Sequence, residues 1–206
     1  MTHDPDVNAD RDRSGEADRP GEADRPGEGD LHGDDVRSLE GRPEAVLGEL
    51  LTDRDETLAT AESLTGGLVG STVTDVPGSS AYFDRGYVTY AYDAKREELG
   101  VARETLDEHG AVSGPVAREM AAGARDHADT TWAVSTTGIA GPGGGTAEKP
   151  VGLVYVGVAY AAPWGTEESF TRSVRAEFSS DRDAVKRASV DRALAELVRA
   201  IRELEG

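Results

Sequence analysis

The chain has 206 residues, of which 40 are acidic and 22 basic, so its formal net charge at pH 7 is −18. This acidic excess disfavours binding to nucleic-acid phosphates, and the absence of cysteine excludes disulfides, thiolate metal sites and cysteine nucleophiles. The four histidines show no metal-ligand spacing, and no apolar run is long enough to span a bilayer. We therefore expect a cytoplasmic protein with no metal or cofactor and with no nucleic-acid or membrane partner.

Arginine greatly outnumbers lysine among the basic residues. Only Lys95, Lys149 and Lys186 are lysines, and the other basic residues are arginines. With the acidic excess, this composition indicates adaptation to high internal salt; an ordinary acidic protein is the alternative. A buried lysine can accept a proton near neutral pH, whereas arginine keeps its proton. Lys186 lies on a predicted surface helix, where we expect it to be solvated.

Residues 1–40 differ in composition from the rest of the chain. They contain the sequence GEADRP twice in tandem, at 15–20 and 21–26, and very few bulky apolar residues. Such a segment cannot bury enough surface to offset the entropy cost of ordering it. We predict a disordered acidic arm over residues 1–40 and a globular domain over residues 41–206.

The first half of the domain alternates short helices and strands. Apolar residues at helical spacing predict the first helix, and Pro77 with Gly78 ends the second. Ser113 is the expected N-cap of the longest of these helices, with Pro115 near its first turn. The predicted elements are a helix at 43–53, a strand at 57–61, a helix at 66–75, a strand at 85–91, and helices at 93–99, 103–109 and 115–127.

The second half is richer in strands. A short apolar strand at 132–135 is followed by two longer strands at 151–161 and 168–178, joined by a turn at 162–165, and by a last helix at 182–204. This order predicts an α/β fold in layers. The hairpin formed by the two long strands predicts a mixed sheet.

The segment 135–152 is crowded with glycine. Its glycines permit positive φ angles and expose backbone N–H groups that suit a phosphate, a carboxylate or an oxyanion. A flexible connector is the alternative, but Pro142, Pro150 and the cationic Lys149 favour a ligand-binding loop. The segment matches neither the Walker pattern nor the dinucleotide-binding fingerprint.

Ser63 follows a predicted strand and precedes a helix that opens with glycine. A hydroxyl at this position lies in the field of a helix N-terminus, beside backbone N–H groups that can bind a developing oxyanion. The alternative is that Ser63 or Thr65 is an ordinary N-cap. No GxSxG elbow surrounds Ser63, so a Ser-His-Asp triad is poorly supported.

Lys95 is the best candidate partner for this serine. Tyr90 ends a predicted buried strand and Lys95 lies in the next helical turn, so both can project toward one end of the sheet, where α/β folds bind ligands. A lysine whose pKa is lowered by burial can accept the serine proton, and the tyrosine hydroxyl can assist. The alternatives are an ion pair of Lys95 with Glu97 or Glu98, and core packing of Tyr90.

Several separated segments together resemble the CinA C-terminal domain family. In chain order over roughly residues 44–203 they are AESLTGG at 61–67, DVPGSS at 75–80, YVTY at 87–90, HGAVS at 109–113 and TGIAGP at 137–142, continuing to 152. The resemblance implies a three-layer α/β/α sandwich. It also implies hydrolysis of the carboxamide of nicotinamide mononucleotide to nicotinate mononucleotide and ammonia, an activity of stand-alone members of the family.

The resemblance assigns the nucleophile to Ser63, with Tyr90 and Lys95 as the other catalytic residues. It assigns the substrate contacts to Thr65, Gly66, Gly67, Thr137, Gly138, Gly141, Gly143 and Arg182. The chain departs from the family pattern at Leu64, where cysteine is usual, and at Ala91-Tyr92, where a serine-asparagine pair is usual, so Tyr92 can alter substrate preference.

The expected partner is thus a small nucleotide, and a homo-oligomer is possible. Two alternatives remain open at this point. The first is a non-catalytic nucleotide-binding or regulatory domain, and the second is a module of a DNA-uptake complex, which the acidic surface disfavours.

Overall fold

A computed structural model describes residues 42–205, which form a five-stranded sheet with helices on both faces. The α/β class is as predicted. The helices are α1 (Pro43–Asp53), α2 (Leu68–Thr74), α3 (Tyr92–Leu99), α4 (Arg103–His109), α5 (Gly114–Ala128) and α6 (Arg182–Glu203). The strands are β1 (Leu58–Glu62), β2 (Phe83–Val88), β3 (Trp132–Gly138), β4 (Leu153–Tyr160) and β5 (Phe170–Glu177).

The sheet is mixed, with strand order β2-β1-β3-β4-β5. β1 runs parallel to β2 and β3, whereas β3 and β4, and β4 and β5, are antiparallel pairs. Two reversals make β5 parallel to β3, so β1, β2, β3 and β5 all end at the same edge of the sheet. The segments that follow these four strands are therefore neighbours, and this edge is where open α/β sheets bind ligands.

The helices form two layers, which confirms the three-layer sandwich. α1, α2 and α6 pack on one face of the sheet and α3, α4 and α5 on the other. β1 is buried along its whole length because it lies between β2 and β3 under both helical layers. Its side chains alternate, so that Leu58 joins the first layer and Ala59 and Ala61 join the second.

Most element boundaries differ by a few residues from the sequence predictions, and three of the differences bear on the site. β2 ends at Val88 instead of continuing to 91, so Tyr90 lies in a loop and is 65% exposed, and the predicted buried strand position for Tyr90 is wrong. α2 begins at Leu68 because Gly66 and Gly67 adopt φ angles of 65° and 97°, which a right-handed helix cannot contain. β3 extends to Gly138 because its last residues pair with β4.

The predicted acidic arm, residues 1–40, lies outside the described residues. Within residues 42–205, no helix is both long and apolar enough to cross a membrane.

Candidate active site

The turn at residues 63–67, called the 63–67 turn below, carries Ser63 at the shared edge of the sheet. Hydrogen bonds of the sheet continue past the strand ends here: Ser63 N donates to Thr136 O at 3.0 Å, and Thr89 N donates to Glu62 O at 2.9 Å. The start of the 63–67 turn is thus held between the loop after β2 and the last residues of β3. Ser63 itself is half-buried.

Lys95 and Ser63 are in direct contact, as expected. Lys95 lies in the first turn of α3, and its Nζ is 3.0 Å from Ser63 Oγ, 2.6 Å from Thr89 O and 3.3 Å from Tyr90 O. The two carbonyl oxygens can only accept, so they direct two N–H bonds of Nζ toward the loop after β2. In the neutral amine, the remaining lone pair then faces the Ser63 hydroxyl, which is the geometry needed for proton transfer.

The environment of Lys95 favours that neutral form. Its side chain is 0% exposed, and burial lowers the pKa of the Lys95 ammonium from 10.5 to about 8. Within residues 42–205 it forms no ion pair, so the alternative partners Glu97 and Glu98 are not used. A substantial fraction of Lys95 is therefore unprotonated in mildly alkaline solution.

Glu62 fixes the geometry of the 63–67 turn from inside the protein. Its carboxylate is 1% exposed and accepts three main-chain hydrogen bonds, from Gly67 N at 2.9 Å, Val69 N at 3.0 Å and Gly70 N at 2.8 Å. Glu62 thereby satisfies the start of α2, and the N-cap position is Gly67. Neither Ser63 nor Thr65 caps the helix, so the structural alternative for Ser63 is wrong.

The same turn retains backbone donors that no group within residues 42–205 uses. Among residues 42–205, the N–H groups of Leu64, Thr65 and Gly66 have no hydrogen-bond partner. The Thr65 hydroxyl is buried and bonded to Thr136 Oγ1 at 2.7 Å, so only the main chain of Thr65 is left for a ligand. Gly66 is exposed.

Residues 139–152, called the glycine loop below, follow β3 at the same edge. Arg182, the first residue of α6, donates from Nη1 to Gly141 O at 2.7 Å and so fastens this loop to α6. Gly143 is exposed, with open space around it. Gly138 is required by packing, because a Cβ there would lie 2.6 Å from Leu153 O.

The loop at residues 109–113 forms a further wall at this edge. Tyr92 Oη accepts from Ala111 N at 3.2 Å, Thr137 Oγ1 donates to Ala111 O at 2.7 Å, and Lys149 Nζ donates to His109 O at 2.5 Å. Tyr92 therefore anchors this loop. Thr137 is buried and Lys149 joins the glycine loop to the 109–113 loop.

No cluster in the described part of the chain, residues 42–205, brings three or more histidine, aspartate or glutamate side chains together to hold a metal ion. The groups in contact at the 63–67 turn are a serine hydroxyl, the Lys95 amine and main-chain donors.

The model of the family described as the CinA C-terminal domain matches residues 41–201. The chain belongs to the CinA C-terminal domain family. The resemblance seen in the sequence is thereby confirmed.

Relatives within the CinA family include proteins of different length. The nicotinamide-nucleotide amidohydrolase PncC of Escherichia coli strain K12 is 52% identical over 148 residues, which cover 72% of this chain and 86% of that protein. A CinA-like protein of Chloroherpeton thalassium is 54% identical over 131 residues, covering 64% of this chain and 31% of its own length. The CinA-like protein of Chlorobaculum tepidum is 49% identical over 162 residues, with coverages of 79% and 38%. The chain thus spans about a third of the length of these two CinA-like proteins.

Solved CinA structures share the fold. The crystal structure of competence/damage inducible protein CihA from Agrobacterium tumefaciens has a TM-score of 0.71 and is 40% identical, covering 79% of this chain and 96% of that chain. A CinA superfamily protein from Klebsiella pneumoniae has the same TM-score at 32% identity, with coverages of 78% and 96%.

In this CinA domain, the sequence predictions correctly bring Ser63 and Lys95 together. In the structure, Tyr90 contacts Lys95 only through its carbonyl oxygen, and the Tyr90 ring is exposed. Glu62 was not among the predicted site residues. The sequence does carry a signal for it, since an acidic residue just before a glycine turn and a short helix is suited to accept the unpaired N–H groups at the helix start.

Proposed function

We propose that this chain is an amidohydrolase that converts nicotinamide mononucleotide to nicotinate mononucleotide and ammonia. The observation that carries the proposal is the contact of 3.0 Å between Lys95 Nζ and Ser63 Oγ, made by a fully buried lysine with a lowered pKa. Its support from relatives is the identity of 52% to an E. coli protein named for this activity, of which the chain covers 86%.

The proposed reaction begins when neutral Lys95 accepts the proton of the Ser63 hydroxyl. Ser63 Oγ bonds to the carboxamide carbon, and the carbonyl π electrons move to oxygen to form a tetrahedral oxyanion. The unpartnered N–H groups in the 63–67 turn, at Leu64, Thr65 and Gly66, are the donors available to stabilise this oxyanion. Collapse of the intermediate breaks the C–N bond, and the Lys95 ammonium returns its proton to the leaving nitrogen, which departs as ammonia.

The product of this half-reaction is an ester between Ser63 Oγ and the nicotinoyl group. Neutral Lys95 then accepts a proton from water, whose oxygen attacks the ester carbon, and the second collapse breaks the bond to Oγ. The lysine returns the proton to Ser63, and nicotinate mononucleotide leaves. Tyr90 contributes its carbonyl oxygen to the orientation of Nζ, and the assistance of its hydroxyl in proton transfer stays a prediction.

The test is ammonia release from nicotinamide mononucleotide by the purified protein near pH 8. We expect turnover by the wild type and none by Ser63→Ala, with the fold of the variant retained because loss of one half-buried hydroxyl that does not cap α2 costs only about 1 kcal/mol. Ser71→Ala removes an exposed serine from α2 and serves as the matched control. Retention of most of the turnover by Ser63→Ala contradicts the serine mechanism, and nucleotide binding without ammonia release supports the non-catalytic alternative.

A further inference from the structure

Lys186 lies at the edge of the sheet that carries Ser63. It is in the second turn of α6, half-buried, and its Nζ is 3.8 Å from the point that a Cβ on Gly66 would occupy. α2 and α6 pack against each other in the same layer, which brings this lysine to the 63–67 turn. The sequence predicts a solvated surface position for Lys186, and the structure places it partly buried beside the 63–67 turn.

The positive charge of Lys186 is not paired within the described part of the chain. No carboxylate within residues 42–205 forms an ion pair or hydrogen bond with it, although the net charge of the chain is −18. Asp183 lies three residues earlier on α6, a spacing that allows a pair, yet no pair forms. A half-buried cation without an acidic partner in such an acidic protein is suited to an anion from outside.

Arg182 adds a second cation on the same side of α6. It precedes Lys186 by four residues, so the two side chains lie one above the other on one helix face. Arg182 Nη1 is held by Gly141 O, which leaves other N–H groups of the guanidinium for a ligand. The first turns of α6 thus present one cation to the glycine loop and another to the 63–67 turn.

The chain between Ser63 and Gly66 sets an upper limit on the distance from Lys186 to the nucleophile. Gly66 follows Ser63 by three residues, which span at most about 10 Å of chain. A mononucleotide with its carboxamide at Ser63 carries its phosphate on the far side of a pyridine ring and a ribose, and within this limit the phosphate can reach Lys186.

We propose that Lys186 binds the 5′-phosphate of the nucleotide substrate and so makes the site selective for nucleotides over nucleosides. This inference rests on the proposed function. A lysine ammonium recognises a phosphate dianion as a point charge, and an arginine in its place retains the attraction.

The test compares nicotinamide mononucleotide with nicotinamide riboside, which differs only by lacking the phosphate. We expect Lys186→Ala to lower kcat/KM for the mononucleotide about 10- to 100-fold, mainly through KM, and to leave kcat/KM for the riboside within about twofold. Lys186→Arg should keep most of the mononucleotide activity. The control is Arg187→Ala, which removes the same charge from an exposed neighbour on α6 and should leave both substrates unaffected.

A binding measurement separates failure of this inference from failure of the proposed function. Calorimetric titration with nicotinate mononucleotide requires no turnover, and we expect its Kd to rise about 10- to 100-fold in Lys186→Ala and to stay unchanged in Arg187→Ala. An unchanged Kd in Lys186→Ala overturns the phosphate assignment. An equal loss of kcat/KM for both substrates also overturns it, because it shows that Lys186 acts on the reaction and not on the phosphate. Absence of ammonia release from either substrate by the wild type refutes the proposed function alone.

Discussion

The protonation of Lys95 makes the proposed mechanism depend on pH in a defined way. Lys95 is 0% exposed, and burial lowers its pKa to about 8. The neutral fraction is then about 1% at pH 6, about 10% at pH 7 and about half at pH 8. Only this fraction can accept the Ser63 proton, so we expect kcat/KM to rise about tenfold per pH unit below pH 8 and to level off above pH 9.

The assay is ammonia release from nicotinamide mononucleotide between pH 6 and pH 9.5 at constant ionic strength. Lys95→Arg places a guanidinium that keeps its proton, so charge alone should not restore activity. We expect both Lys95→Arg and Lys95→Ala to lose about 10²- to 10⁴-fold in kcat. Turnover that does not change between pH 6 and pH 8, or an active Lys95→Arg enzyme, refutes the general-base role of Lys95.

The lowered pKa of Lys95 also makes the free energy of unfolding depend on pH. The pKa of Lys95 is lower in the folded protein than its usual value of 10.5, so the unfolded chain binds this proton more tightly. The resulting cost to stability is fully present below pH 8 and disappears as pH rises toward 10.5. From pH 7 to pH 10 the free energy of unfolding of the wild type should gain about 2–3 kcal/mol relative to Lys95→Met, measured by urea denaturation. Parallel curves for the two proteins over this range contradict the burial argument.

Three further predictions concern the surroundings of the site. Glu62→Gln leaves one main-chain N–H without an acceptor, so we expect urea denaturation to show a loss of about 1–3 kcal/mol together with lower kcat. Gly123→Ala places a Cβ 1.9 Å from Leu99 O and should cost about 1–3 kcal/mol, whereas Gly143→Ala enters open space and should change stability by less than about 0.5 kcal/mol. Deletion of residues 1–40 should leave Tm and turnover nearly unchanged because they contain few apolar residues, and a large fall in Tm would show that the arm packs on the domain.

Local sequence was sufficient to predict that Ser63 and Lys95 lie at one edge of the sheet, and the family resemblance then assigned their roles. Ser63 follows a strand and Lys95 lies in the first turn of the helix after the next strand, so a parallel pairing of these strands brings both to one edge. The hairpin of β4 and β5 was predictable for a similar reason, since the two strands are joined by a short turn. Signals of this kind depend only on residues close in the chain.

Features set by distant parts of the chain were not predictable. The sequence predicts that Tyr90 belongs to a buried strand. However, β2 is an edge strand that ends at Val88, so the Tyr90 ring is exposed. The sequence predicts a surface position for Lys186 because its neighbours on the helix are polar. Only the packing of α6 on α2 brings Lys186 close to Gly66. Both outcomes depend on which elements become neighbours, and short-range periodicity contains no information about that.

The placement of the three lysines has a practical consequence for chemical modification. Apart from the α-amino group, these side chains are the only primary amines of the protein, and all three lie at the edge of the sheet that carries Ser63. Lys95 is shielded from reagents, whereas Lys149 and Lys186 are partly exposed. Acylating reagents and amine-coupled resins will therefore attach at the mouth of the site, and immobilisation through the abundant carboxylates is the route that spares it.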